Sequence, residues 1–247
     1  AQSGLGNTTG RLNTFVGSWS GRANDSGFFN TFIGAVAGQK NTGGFHNTFV
    51  GQAAGYNNER GNNNTFLGTQ SGDENVEGND NVFVGSMAGY SNNGSLNTFI
   101  GRWSGQQNSD GVGNTFLGYR AGAHNTTGSY NVMIGRGANL ADSTASNQLV
   151  VANSFNDRPL ISGDFKYKKL RFSGDVEVGS ESPNGSLTVN GGLFQTSPGE
   201  APWPAEGSYA LWLSDGKDGF SEGDVMIRIA ANGQTKTAKL VDFESLD

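Results

Sequence analysis

Eight near-identical segments follow one another through the first half of the chain. They read NTFVG (13–17), NTFIG (30–34), NTFVG (47–51), NTFLG (64–68), NVFVG (81–85), NTFIG (97–101), NTFLG (114–118) and NVMIG (131–135). The step is 17 residues each time, apart from one step of 16 between Asn81 and Asn97. A fixed short period means stacked structural units, so fold and function are those of an elongated array. A stack presents the same surface position again and again. That suits holding a long partner or building a rod better than it suits a single catalytic pocket.

Take the Asn of each segment as position zero. Gly recurs at plus four and plus eight, a small residue (Ser20, Ala37, Ala54, Ser71 and onward) at plus seven, and Asn at plus eleven. Another Gly precedes each new segment, and Gly4, Asn7 and Gly10 are already in phase, half a turn before the first complete repeat. The Asn-Thr-Phe-Val run favours extended backbone and alternates faces. One side therefore carries Asn13, Asn30, Asn47 and Asn64 with Phe15, Phe32, Phe49, Phe66, Phe83, Phe99 and Phe116; the other carries Thr and Val, Ile or Leu. Glycines supply the positive φ that corners need, and stacked Asn side chains can bond to one another along a ladder. Seventeen residues allow two short strands and two turns per coil. The expected fold is all-β, a flattened β-roll solenoid of about eight coils, spaced roughly 4.8 Å apart and roughly 40 Å long.

Composition agrees. Forty glycines with only 34% hydrophobic and 15% charged residues leave little for one thick core, yet 16 Phe are too many for a disordered chain. A net charge of −6 argues against a nucleic-acid or anionic-membrane binder. No apolar run approaches the ~18 residues of a membrane-spanning helix, and no signal peptide is visible, although Ala1-Gln2-Ser3 suits a mature terminus. There is no Cys, so neither disulfides nor thiolate metal sites are available.

Both faces of the repeated strand are apolar, and a two-layer roll has one narrow interior. One ladder fills it and the other forms a long exposed stripe, which monomers rarely tolerate. Packing that stripe about a three-fold axis removes the problem and predicts a side-by-side homotrimer. A single-chain, three-sided β-helix is the competing solution, for which 17 residues is short.

The NTFxG repeat resembles the head repeats of YadA-type trimeric autotransporter adhesins. It is closer to bacteriophage tail-fibre repeats in which NTxxG and NTTG alternate, as residues 7–10 and 125–128 read here. The resemblance covers residues 4 to 140 and implies a trimeric fibre, extracellular, cell-surface or on a virion-like particle. Beyond residues 1–140, the stretch 141–195 (Leu149-Val150, Pro159-Leu160-Ile161, Gly163-Asp164-Phe165, Leu187-Thr188-Val189-Asn190-Gly191) resembles the neck of such fibres. Its one basic cluster, KYKKLR (166–171), reads as a solvated strand face or a contact for an anionic glycan. Residues 196–208 are a Pro-rich linker, and 209–247 hold three strand candidates of a small β tip, around Asp215-Gly216 and Asn232-Gly233 turns.

Chemistry needs a convergent constellation. His124 lies near Tyr119, Arg120 and Tyr130 in sequence. Base, acid and carboxylate neutraliser are the equipment for β-elimination of a uronate polysaccharide. Exposed turn residues are the plainer reading. Asp73 with Glu74, or Asp215 with Asp218, could serve glycoside hydrolysis; Asp215, Asp218 and Asp224 could instead bind calcium. Aromatic binding surfaces fit a repeat better: Trp19 and Trp103 share position plus six, Tyr56 and Tyr90 share plus nine, and Trp203 and Trp212 lie near the tip. Such rings stack on sugar faces. A Thr column (Thr14, Thr31, Thr48, Thr65, Thr98, Thr115) evokes ice binding but is single and broken at Val82 and Val132.

The reading is therefore a non-catalytic trimeric fibre or adhesin that attaches to a surface polysaccharide or glycan, with itself and that glycan as partners and no resident cofactor or metal. The second reading is a polysaccharide-degrading enzyme, lyase before hydrolase, on the same scaffold. The third is a purely structural filament subunit.

Overall fold

The computed structural model describes residues 2–155, 158–174, 195–196, 209–213, 224–231 and 234–241. Among these there is no helix. Each NTFxG-type segment forms one three-residue strand: β1 (Thr14–Val16), β2 (Thr31–Ile33), β3 (Thr48–Val50), β4 (Thr65–Leu67), β5 (Val82–Val84), β6 (Thr98–Ile100), β7 (Thr115–Leu117) and β8 (Val132–Ile134). Neighbours pair in parallel with like residues opposed, Phe32 beside Phe49 and Phe49 beside Phe66. The chain is thus an all-β parallel solenoid.

A coil carries one strand, not the two expected. After the strand, three left-handed residues fall within five positions, as at Gly68 (φ 139°), Gln70 (φ 55°) and Gly72 (φ 59°). Backbone curled that tightly cannot extend into a second ladder. The opposite side of each coil is a stack of turns, tied from coil to coil by backbone bonds such as Gly55 N to Ser71 O (2.9 Å) and Gly72 N to Ala88 O (3.0 Å).

The interior follows from this. From Phe32 to Phe116 the Phe rings are wholly buried and stack with centroids 4.8–4.9 Å apart and planes within 7°. That centroid spacing is one coil, and it makes the stack an offset one, the arrangement aromatic quadrupoles favour. Burying each ring contributes about 1.5–3 kcal/mol. The plus-eight glycines sit against the ring edges: a Cβ on Gly72 would lie 2.5 Å from Phe66. Only Gly supplies both the left-handed φ and the missing atom.

Two Asn columns line the rest of the core. In the plus-eleven column each amide donates to the carbonyl of the preceding Asn, as Asn41 Nδ2 to Asn24 Oδ1 (2.8 Å) and Asn58 to Asn41 (2.8 Å), and also to the Gly carbonyl three residues on. The position-zero column bonds to backbone instead. Asn47 Oδ1 accepts from Asn64 N (3.0 Å) while Asn47 Nδ2 donates to Gly61 O (2.8 Å). The first column reaches back to Asn7, whose Oδ1 accepts from Asn24 Nδ2 (2.6 Å), so the phase read in the first residues is real.

The 16-residue coil loses its residue between Asn92 and Gly94. Elsewhere a backbone carbonyl at this turn, such as Glu59 O, accepts three N–H groups from the coil before. Here Asn93 Oδ1 takes that place and accepts from Val76 N (3.1 Å) and Glu77 N (2.9 Å).

The sheet outlasts the NTFxG pattern. β9 (Gln148–Val151) adds in parallel to β8, with Gln148 where Asn is expected and its N donating to Asn131 Oδ1 (2.9 Å). The solenoid therefore runs one coil beyond the boundary expected near residue 140. β10 (Ile161–Asp164) and β11 (Lys169–Phe172) then continue the sheet antiparallel. The basic cluster spans the turn and edge strand here, all of it exposed.

Residues 177–247 form a second unit. Its described strands are β12 (Gln195–Thr196), β13 (Tyr209–Leu213), β14 (Val225–Ala231) and β15 (Gln234–Val241), in that spatial order. The β14–β15 pairing closes at Ala231 and Gln234; the Asn232-Gly233 turn expected between them lies outside the described residues. The expected linker beyond Thr196 lies outside the described residues.

Replacing Phe66 by Ala removes one ring from the middle of the stack and is expected to cost about 3–5 kcal/mol. Asn58→Ala is expected to cost about 1–3 kcal/mol by leaving Asn41 Oδ1 without its donor and removing one of the two acceptors of Asn75 Nδ2. Urea unfolding followed by circular dichroism measures both.

Candidate functional site

With the core columns uniform, what varies sits at the corners. Positions plus six and minus one are left-handed in almost every coil, although few are Gly: Trp19, Gln70, Trp103 and Arg120 in one column, Leu12, Phe29, His46 and Tyr130 in the other, all with φ of 55–60°. Backbone bonds between coils hold them there, such as Trp103 N to Ser86 O (3.0 Å) and Arg120 N to Arg102 O (3.0 Å). A left-handed residue is costly unless its surroundings over-determine it.

The most populated corner lies at positions plus five and six of the last three NTFxG-type coils. The Arg102 guanidinium carbon stands 3.8 Å from the centre of the Trp103 ring and that of Arg120 stands 4.5 Å from it. The Tyr119 ring is 5.6 Å from Trp103 and meets Phe155 edge-on at 6.2 Å. Arg136 stands 4.9 Å from the Phe155 ring. Trp103 Nε1 points at Met87 Sδ (3.2 Å). Trp103 and Tyr119 were legible as repeat-corner residues. Arg102 and Arg136 share the plus-five column with Tyr119 and could have been found by the same alignment. Phe155 lies past the pattern and could not.

Trp19 occupies the same column as Trp103 but five coils away, exposed, with Arg22 at 5.2 Å from its ring. The two Trp side chains do not form one site.

Tyr56 and Tyr90 flank Asp73 in the plus-nine column. Lys40 lies 5.1 Å from the Tyr56 ring and donates to Asn57 Oδ1 (2.8 Å), and Asn57 Nδ2 donates to Asp73 Oδ1 (3.3 Å). Asp73 is only 8% exposed. Desolvation, then the neighbouring Glu74, push its carboxyl up to about 6. Burial and the same two carboxylates raise the Tyr90 phenol.

His124 is exposed and does not join Tyr119 and Arg120. Its backbone N donates to Asn139 Oδ1 (3.1 Å), while Asn139 Nδ2 donates to Arg120 O (2.9 Å). Tyr119 and Arg120 turn instead into the Trp103 group, so one chain does not assemble the elimination triad. His46 sits at the opposite corner, edge-on to Phe28, Phe29 and Phe45 at 5.8, 5.0 and 5.4 Å. Trp203, Asp215 and Asp218 lie outside the described residues. Asp224 is buried, with Oδ2 2.7 Å from Lys239 Nζ. Trp212 lies on β13, paired opposite Met226.

Folding lifts the Asp73 carboxyl above its ordinary 3.8, so the fold holds that proton more tightly than the unfolded chain. Its ionisation penalty is absent below about pH 4 and fully present above about pH 6. Asp73→Asn is therefore expected to stabilise the protein by about 1–3 kcal/mol at pH 7.5 and to change little at pH 3.5. Thermal melts at the two pH values check it.

No family model, no curated protein and no solved structure matches this chain.

Proposed function

We propose that the protein is a trimeric fibre or adhesin, extracellular or on a virion-like particle, that attaches to a surface through its glycans. The observation that carries this reading is the outward face of the solenoid sheet. Phe fills the interior, so the second apolar ladder is left outside: Val16, Ile33, Leu67, Ile100, Leu117 and Ile134 are each more than a third exposed, Leu117 by 45%. These residues form one straight column beside the Thr column, because the strands stack in register. Leu12 and Phe29 add exposed apolar surface along the adjoining corner. A continuous stripe of this kind fits a copy of itself, and parallel copies around one axis make a rod whose far corners face outward.

The corner columns supply the attachment half. Their side chains vary from coil to coil, carry exposed aromatic and basic groups, and recur at one coil spacing along the rod. An elongated glycan running along the corner meets a new side chain at each coil.

Light scattering on the purified protein is expected to give three times the single-chain mass, and Ile100→Glu with Leu117→Glu to give a folded monomer; a monomeric or dimeric wild type overturns the trimer. In a panel of acidic and neutral polysaccharides, retention without new reducing or unsaturated ends is expected. New chain ends would replace this reading by the enzymatic one, and neither retention nor cleavage would leave a structural filament.

A further inference from the structure

We infer that the corner built by Arg102, Trp103, Tyr119, Arg120, Arg136 and Phe155 is a binding site for carboxylated polysaccharide chains. The inference rests on the glycan-attachment reading and specifies its chemistry.

The chain as a whole carries −6, yet three guanidiniums gather here, and none lies within ion-pair distance of a carboxylate among the described residues. Clustered like charges repel, so an arrangement of this kind is disfavoured without an anion to complete it.

Each guanidinium lies against a ring: Arg102 at 3.8 Å and Arg120 at 4.5 Å from Trp103, Arg136 at 4.9 Å from Phe155. Stacking engages the flat face of a guanidinium and leaves its in-plane N–H donors unused. Those donors form the fork that takes a carboxylate in two parallel hydrogen bonds. The rings thus fix the orientation of three otherwise floppy side chains, which lowers the ordering cost of binding. Lysines could neither stack so flat nor offer the fork.

Arg102 and Arg136 occupy the plus-five position two coils apart, with Arg120 at plus six in the coil between. One coil advances the site by roughly 4.8 Å, about the length of one sugar ring in an extended chain. A polymer lying along the rod therefore brings successive rings into register with successive coils, and its carboxylates into reach of the three forks. The Tyr119 ring, exposed between Trp103 and Phe155, offers an apolar face to a sugar.

The test uses the full chain and polygalacturonate as probe, with carboxyl-reduced polygalacturonate and a sulfated polymer of similar length as comparison arms. Calorimetry at low salt is expected to show binding to the carboxylated polymer, weakening as salt rises, and none to the reduced one. Arg102→Gln, Arg120→Gln and Arg136→Gln combined are expected to lower affinity by roughly a hundredfold. The corresponding three Arg→Lys changes, which keep the charge, are expected to recover only a minor part. Thermal melts establish that both triple variants fold, and Arg22→Gln beside Trp19 serves as the control that leaves binding intact. Equal binding of the reduced polymer, full affinity in the Gln triple variant, full recovery by Lys, or preference for the sulfated polymer overturns the inference. Retention on neutral glycans with no response to these arginines would overturn this site while leaving the attachment reading in place.

Discussion

The whole structure depends on a way of satisfying turns. A coil with only three strand residues leaves most of its backbone polar groups outside the strand ladder; bonds between coils pair many of them, and the rest, among them buried Gly carbonyls and the N–H groups of the position-zero Asn, need side-chain partners. Unpaired, each would cost on the order of 1–3 kcal/mol. The two Asn columns remove that cost. One amide side chain carries both an acceptor and donors, so each plus-eleven Asn bonds to the coil on either side, as Asn58 does to Asn41 and Asn75, while each position-zero Asn makes both its bonds to the following coil, as Asn47 does to Asn64 N and Gly61 O; no buried side-chain nitrogen or oxygen among the described residues lacks a partner. The Phe stack supplies the hydrophobic gain, but it can stand only inside the cage that the Asn bonds hold open. Asn93 in the shortened coil makes the same point, since where a backbone carbonyl is lost a side-chain amide oxygen takes over.

That cage separates structure from display. Interior columns are constrained in size and polarity at every coil. The corner positions are constrained only in φ, and the bonds between coils impose it. Large side chains such as Trp103 and Arg120 are therefore tolerated in a left-handed conformation they would otherwise avoid. A scaffold of this kind can change its surface chemistry one coil at a time without disturbing its core. The arginine–aromatic corner in the late coils and the Asp73 group with its two tyrosines in the middle ones are separate uses of that freedom.

The register of the repeat made much of this readable in advance. The two apolar columns on opposite faces of the strand, the in-phase start at Asn7 and the Asn ladder follow from two-residue alternation and a fixed period; that Phe rather than the aliphatic column takes the interior came from the structure. The second strand did not exist because glycine spacing alone does not reveal that Gln70 and its equivalents are also left-handed. The extra coil at Gln148 was hidden because its sequence, Gln-Leu-Val-Val, shares only the hydrophobic alternation. Grouping His124 with Tyr119 and Arg120 was reasonable from sequence distance, but within a coil a few residues are enough to turn a corner, and proximity along the chain is not proximity of side chains.

What the sequence determined by itself was therefore periodic: the coil, its core columns and the identity of the residues on each face. Those follow from local geometry repeated without change. What only the tertiary structure decided was lateral and specific: which corner residues from successive coils meet, and that three guanidiniums stand against rings, Arg102 over the Trp103 beside it, Arg120 over that same ring from the next coil, and Arg136 over Phe155 from the segment past the repeat. Such contacts depend on the stacking of coils in three dimensions, and no period in the sequence encodes the direction in which a side chain leaves a corner.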